Sequence, residues 1–212
     1  MRRTLLATAL LAATGFVAAA DADVPTGPLP RTVVPSEVGL ILTIDPAQAR
    51  FSGHVDIAVD VASATDTIWM HGKGLDITKA VYMPENGRNQ DLSAAEVDVS
   101  GVLKLTAPRP IQPGKGLIAI DYTAPFGELQ GAYKVSPDGR DYVMTQMEPL
   151  GARTTFPGFD EPSFKQPWRM TLVVPDGDVA VANAPEAKTI DLEGPMKRVV
   201  FEKTEALPSY LI

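Results

Sequence analysis

The stretch Val38-Gly39-Leu40-Ile41-Leu42-Thr43-Ile44-Asp45, with Phe51-Ser52-Gly53-His54-Val55-Asp56-Ile57-Ala58-Val59-Asp60-Val61 after it, decides the fold class. Apolar side chains return at every second position, at Val38, Leu40, Leu42 and Ile44 and again at Phe51, Val55, Ile57, Val59 and Val61. A period of two sends successive side chains to opposite faces of a strand, so both segments present one apolar and one polar face. Between them Asp45-Pro46-Ala47-Gln48 is turn chemistry. The pair therefore reads as an antiparallel hairpin with one face buried and one wet. His54 lies on the wet face between Ser52 and Asp56, which suits a solvated histidine better than a metal ligand.

Toward the N-terminus the pattern changes twice. Residues 23–34 form a proline-rich leader. Ahead of it, Arg2 and Arg3 precede an apolar run from Leu5 to Ala20 that ends in Ala18-Ala19-Ala20-Asp21-Ala22. A charged start, a short apolar run and small residues at the end describe a secretory signal peptide, residues 1–22, cleaved after Ala20 or Ala22. The run is too short for a stable bilayer span. The expected compartment is the periplasm or the exterior.

Toward the C-terminus, short β-like runs follow one another. Ile68 to His71 and Ile77 to Met83 are parted by Gly72-Lys73-Gly74, and Val97 and Val99 pass through Ser100-Gly101 into Val102 to Leu105. Gly116 to Tyr122, Tyr133 to Val135, Tyr142 to Met144, Trp168 to Val174, Val179 to Asn183, Val199 to Glu202 and Tyr210 to Ile212 continue the series. No amphipathic helix interrupts them, so the expectation is an all-β domain of antiparallel β-sandwich or saddle-shaped sheets. His71 has no second ligand candidate at zinc spacing and reads as structural.

Composition narrows the function classes. With 212 residues, 45% of them hydrophobic, the chain can bury a sizeable core, and its net charge of −7 argues against nucleic acid or an anionic membrane as partner. It has no cysteine, which excludes disulfides, thiolate metal sites and a cysteine nucleophile.

One stretch obeys neither period. After Tyr142 to Gln146 comes Met147-Glu148-Pro149-Leu150-Gly151-Ala152-Arg153, then Phe156-Pro157-Gly158-Phe159-Asp160-Glu161-Pro162. A carboxylate before a proline, a lone arginine and an adjacent acid pair make no amphipathic face, so specific side-chain contacts must hold the segment.

From about Pro30 to Ile212 the chain resembles the N-terminal β-domain of the aminopeptidase N family of zinc metallopeptidases. The resemblance rests on Pro35 with its following strand, Phe51-Ser52-Gly53, Gly131-Ala132-Tyr133, Thr145-Gln146-Met147-Glu148-Pro149, Ala152-Arg153, Phe156 to Lys165 and Leu207-Pro208-Ser209-Tyr210-Leu211. Two positions depart from the family pattern: many members have cysteine at Gly158 and an aromatic at Met147. The resemblance implies that residues 35–212 are this domain, that Glu148 binds the α-ammonium of a peptide substrate's N-terminus, and that Gln146 lines the pocket for the first side chain. Arg153, Asp160 and Glu161 are expected to form an ion-paired buckle behind Glu148.

The family's zinc is held by an HExxH helix and a downstream glutamate in a thermolysin-like catalytic domain, beside a Gly-x-Met-Glu-Asn segment. None of these motifs occurs here, so this chain is expected to hold no metal and no catalytic residue of its own, to be inactive alone, and to be the front part of a longer enzyme. Ser209 to Ile212, read as the middle of a strand, points the same way. The alternative is a non-catalytic secreted β-sandwich for binding or scaffolding, with Trp69, Tyr82 and Trp168 as exposed aromatics.

Overall fold

The computed structural model describes residues 24–212. The expected signal peptide, residues 1–22, lies outside the described residues. The hairpin is present, with β1 at Val33–Thr43 and β2 at Arg50–Val61. They pair antiparallel from Val33 opposite Val61 to Thr43 opposite Ser52, with a bulge between Pro35 and Glu37. The Asp45 carboxylate accepts the Ala47 N–H at 2.9 Å, which fixes the turn as the sequence predicts.

Eleven further strands follow: β3 (Thr65–His71), β4 (Asp76–Pro84), β5 (Gln90–Asp91), β6 (Ser93–Asp98), β7 (Val102–Ile111), β8 (Gly114–Pro125), β9 (Gly131–Val135), β10 (Tyr142–Gln146), β11 (Trp168–Pro175), β12 (Glu186–Asp191) and β13 (Met196–Phe201). They build an eight-stranded sheet in the order β12-β13-β11-β1-β2-β8-β4-β5, a three-stranded sheet β3-β7-β6 and the ribbon β10-β9. The all-β expectation holds, and no sheet closes on itself. The described residues contain no helix long and apolar enough to cross a membrane. One pairing is not antiparallel, because β11 lies parallel to β1 with Val38 opposite Trp168.

The large sheet turns Val38, Leu40, Val55, Ile57, Ile118 and Ile120 inward, each no more than 3% exposed. Ile68, Met70, Leu103 and Leu105 of the small sheet join the same cluster. In β3 every residue from Thr67 to His71 is buried, so the small sheet is covered on both faces at that strand. Gly53 lies opposite Tyr122, and a Cβ there would overlap the phenol ring, which accounts for glycine in an otherwise regular strand.

Two expected strands are absent. Val179 to Asn183 alternates in sequence but is irregular, because the edge of β11 beyond β1 is taken by β13. The parity is also reversed: Ala180 and Ala182 pack on the core, while Val179 and Val181 are 89% and 80% exposed. At the C-terminus Ser209–Leu211 is a 3-10 turn, with Leu211 N–H donating to Pro208 O and Ile212 N–H to Ser209 O, both at 3.2 Å. Ile212 is buried there, Tyr210 is half-buried, and of these three apolar residues only Leu211 is open. Conversely, β12 carried no sequence signal, since all six of its residues are exposed.

Candidate functional site

The irregular stretch begins where β10 leaves its partner, at Gln146 opposite Gly131. Residues two apart on extended backbone share a face, and here Gln146 and Glu148 are exposed while Met147 between them is 2% exposed. Met147 is anchored from both ends. Its carbonyl accepts the Gly151 N–H at 2.6 Å, and its sulfur accepts the Thr155 hydroxyl at 3.7 Å. Thr155 Oγ1 in turn accepts the Ala132 N–H at 2.8 Å, tying the turn to β9.

The two polar side chains are organised locally. Gln146 Oε1 accepts the Glu148 N–H at 3.0 Å, and Gln130 Nε2 donates to the Glu148 carbonyl at 3.4 Å. The Glu148–Pro149 peptide is cis. Gly131, at φ +72°, meets the following turn so closely that a Cβ would overlap Thr154 Oγ1. Around Glu148 the surface is partly apolar, with Tyr142, Met144 and Leu150 exposed. The Glu148 carboxylate itself has no hydrogen-bond or ion-pair partner among the described residues, so it is free to take a cation.

Behind this face Arg153 and Asp160 are buried together, with side chains 7% and 3% exposed. Arg153 Nε donates to Asp160 Oδ2 at 2.9 Å, Nη2 to the Asp160 carbonyl at 3.0 Å and Nη1 to Ser100 O at 2.8 Å. The Ser209 hydroxyl donates to the other carboxylate oxygen at 2.5 Å. Each buried charge is thus hydrogen-bonded as well as paired, the condition under which such a pair is tolerated. Glu161 stands apart from the expected ion pairing: it accepts the Leu29 N–H at 2.6 Å and the Ser163 hydroxyl at 3.3 Å, fastening the leader to the loop.

His71 closes the same region. It exchanges backbone hydrogen bonds with Gly158 at 2.7 and 2.9 Å, the residue is 5% exposed, and Nδ1 has no partner. Burial, with the Arg153 guanidinium adding to it against Asp160, lowers its pKa from 6.5 to about 4. A histidine neutral in the fold but protonated when unfolded stabilises above the unfolded pKa and progressively less as pH falls toward the folded one. The expected loss is about 2 kcal/mol on going from neutral pH to about pH 5. Chemical denaturation at the two pH values checks this, and His71→Phe should flatten the difference; an equal slope in both proteins would remove His71 as the cause.

His54 does not stand alone in solvent. Its Nδ1 meets Asp121 Oδ1 at 2.5 Å and its Nε2 meets Asp56 Oδ1 at 3.2 Å. Burial works to lower its pKa, but the bond to Asp121 and the charge of Asp56 outweigh that and raise it. With both ring nitrogens occupied and His71 buried elsewhere, the residues present do not fit a zinc ion, and no three His, Cys, Asp or Glu converge as a cation site among the described residues. Trp69, Tyr82 and Trp168, expected on the surface of a binding module, are 7%, 2% and 2% exposed. Trp168 is held by its indole N–H donating to Leu207 O at 3.0 Å and by Phe156 edge-on at 5.4 Å.

The partners the sequence did not disclose are Asp121, Ser100, Thr155 and Ser209. Each reaches its contact across at least 23 residues, and no local pattern announces such a pairing.

A family described as the peptidase M1 N-terminal domain matches residues 34–211. The chain belongs to that family. It is 30% identical over 224 residues to an aminopeptidase N of Acetobacter pasteurianus, covering 100% of this chain and 62% of that protein. It is also 30% identical over 189 residues to aminopeptidase M1-D of Oryza sativa subsp. japonica, and 30% over 196 residues to endoplasmic reticulum aminopeptidase 2 of Homo sapiens. Those two alignments take in 87% of this chain but only 21% and 20% of the relatives.

Proposed function

We propose that this chain is the substrate-end half of a zinc aminopeptidase site: Glu148 binds the α-ammonium of a peptide's first residue, and Gln146 lines the pocket for that residue's side chain. The observation that carries this reading is the pair of exposed polar side chains bracketing a buried, doubly anchored Met147. A free carboxylate on a pinned turn, beside exposed Met144 and Leu150, offers an ammonium a charge-assisted bond and an alkyl chain an apolar floor. Holding that carboxylate at a fixed distance from a hydrolytic centre would confine cleavage to the first peptide bond.

Zinc and the group that activates water would come from a thermolysin-like domain outside this chain, as the relatives' greater length supports. The protein would act in the periplasm or outside the cell. With Trp69, Tyr82 and Trp168 buried, the binding-module alternative loses the aromatics on which it rested.

Purified residues 23–212 should hydrolyse no aminoacyl anilide and bind no stoichiometric zinc. Turnover that scales with the protein and survives repurification, or one equivalent of metal by elemental analysis, would overturn the division of labour.

A further inference from the structure

The connection between β4 and β5, Glu85-Asn86-Gly87-Arg88-Asn89, carries the chain's one Asn-Gly step. All five residues are exposed. The role proposed for Glu148 makes no use of them. An asparagine carboxamide carbon is an electrophile toward the backbone nitrogen that follows it, and the two close a five-membered ring when neither is held elsewhere. Here neither is held. Among the described residues the Asn86 carboxamide and the Gly87 N–H have no hydrogen-bond partner. Gly87 sits at φ +133°, where side-chain-bearing residues are strained, and with no Cβ it leaves the attacking nitrogen unshielded.

The other two asparagines show what the structure adds to the dipeptide. Asn89 is exposed as well, but the nitrogen after it belongs to Gln90, which is paired with Tyr82 in the β4–β5 ladder. Asn183 is exposed and precedes Ala184, yet its Nδ2 donates to the Leu211 carbonyl at 2.6 Å, which holds the carboxamide in place. Asn86 alone combines a free carboxamide, a free nitrogen and a glycine.

We propose that Asn86 deamidates spontaneously in the folded protein. The Gly87 nitrogen gives its proton to solvent base and attacks Asn86 Cγ. A new C–N bond forms, the bond to the side-chain nitrogen breaks, and that nitrogen leaves as ammonia. Water then opens the resulting succinimide at either carbonyl. Opening at Cγ gives aspartate; opening at the backbone carbonyl gives isoaspartate, with an extra methylene in the main chain. The sum is amide plus water to carboxylate plus ammonium, so no oxidant or cofactor is needed. The fold tolerates the product because the loop is anchored on both sides. Glu85 N–H donates to Lys115 O at 2.9 Å and Leu92 N–H to Ala80 O at 2.8 Å, and the added methylene falls between them. The new carboxylate also appears among Arg88, Arg109 and Lys115, which line the same hollow.

The test is peptide mapping by mass spectrometry of the chain aged in ¹⁸O-water in mildly alkaline buffer, folded and in guanidinium chloride. In the folded protein Asn86 should gain labelled carboxylate about tenfold faster than Asn89 or Asn183, split between aspartate and isoaspartate peptides. Folding should change the Asn86 rate by less than about threefold, as expected for a loop with no opening cost, and should slow Asn183. Gly87→Ala, in an exposed loop away from the core, should slow conversion of Asn86 about tenfold. The aged protein should melt within about 2 °C of the fresh one. Conversion of Asn86 no faster than that of Asn183, protection of Asn86 by folding beyond about tenfold, or aspartate appearing without isoaspartate would each overturn the assignment.

Discussion

Asp160→Asn lowers the stability of this domain by about 3–5 kcal/mol, the range for removing one partner of a buried ion pair. The reason lies in how fully the carboxylate is used. One oxygen accepts from the Arg153 side chain and, at 3.3 Å, from its backbone N–H; the other accepts the Ser209 hydroxyl. An asparagine offers one oxygen where two are needed and aims an NH₂ at a donor, while Arg153 keeps an uncompensated charge at 7% exposure. For a domain of this size the melting temperature should fall by about 10 °C. Thermal unfolding followed by circular dichroism measures it, and a shift within about 2 °C would mean that Arg153 has another counter-charge. Replacing both partners with apolar residues, Arg153→Met with Asp160→Leu, should recover part of the loss, because no charge is then left buried alone.

On the proposed role of Glu148, Glu148→Gln should weaken substrate binding and leave the fold intact. In an enzyme carrying this domain ahead of its catalytic portion, the change keeps the shape of the side chain and removes the charge that would meet the substrate's ammonium. The expected result is a ten- to hundredfold loss in kcat/KM on free-amine substrates. Circular dichroism and melting temperature should not move, since Glu148 is exposed and its backbone contacts do not involve the carboxylate. Unchanged kinetics beside a turnover-dead, folded Asp160→Asn would mean that the recognition role belongs to the other acid.

What the sequence disclosed and what it withheld follow from how far each contact reaches. β1, β2, β8 and β11 were legible because a strand with one face on the core writes its burial into alternate residues. β12 wrote nothing, as neither of its faces is buried. Val179 to Asn183 wrote the wrong thing: its valines alternate, yet the alanines between them face the core. The type of the Arg153 and Asp160 contact was legible from a lone cation and a nearby acid in an aperiodic loop. Ser209, its third member, was not, and the reading of Tyr210 to Ile212 as a strand missed that Ser209 turns inward to reach Asp160. Gln146 and Glu148 were singled out by the resemblance alone, whereas the burial of Met147 between the two exposed side chains is a property of the packed turn.

The parallel pairing of β1 with β11 has a consequence for the order in which the domain can be made. β1 emerges from the ribosome early, and β2 can close on it within a few residues of synthesis. Its other edge must wait for Trp168, 130 residues after Val38 in the pairing register, or roughly ten seconds at ordinary elongation rates. During that interval the strand that will become the middle of the large sheet is an open edge bearing Leu40 and Leu42, available to any neighbouring nascent chain. The closure of Asp160 by Ser209 comes later still, 41 residues beyond Trp168, so the loop that presents Glu148 is among the last parts of the domain to become rigid.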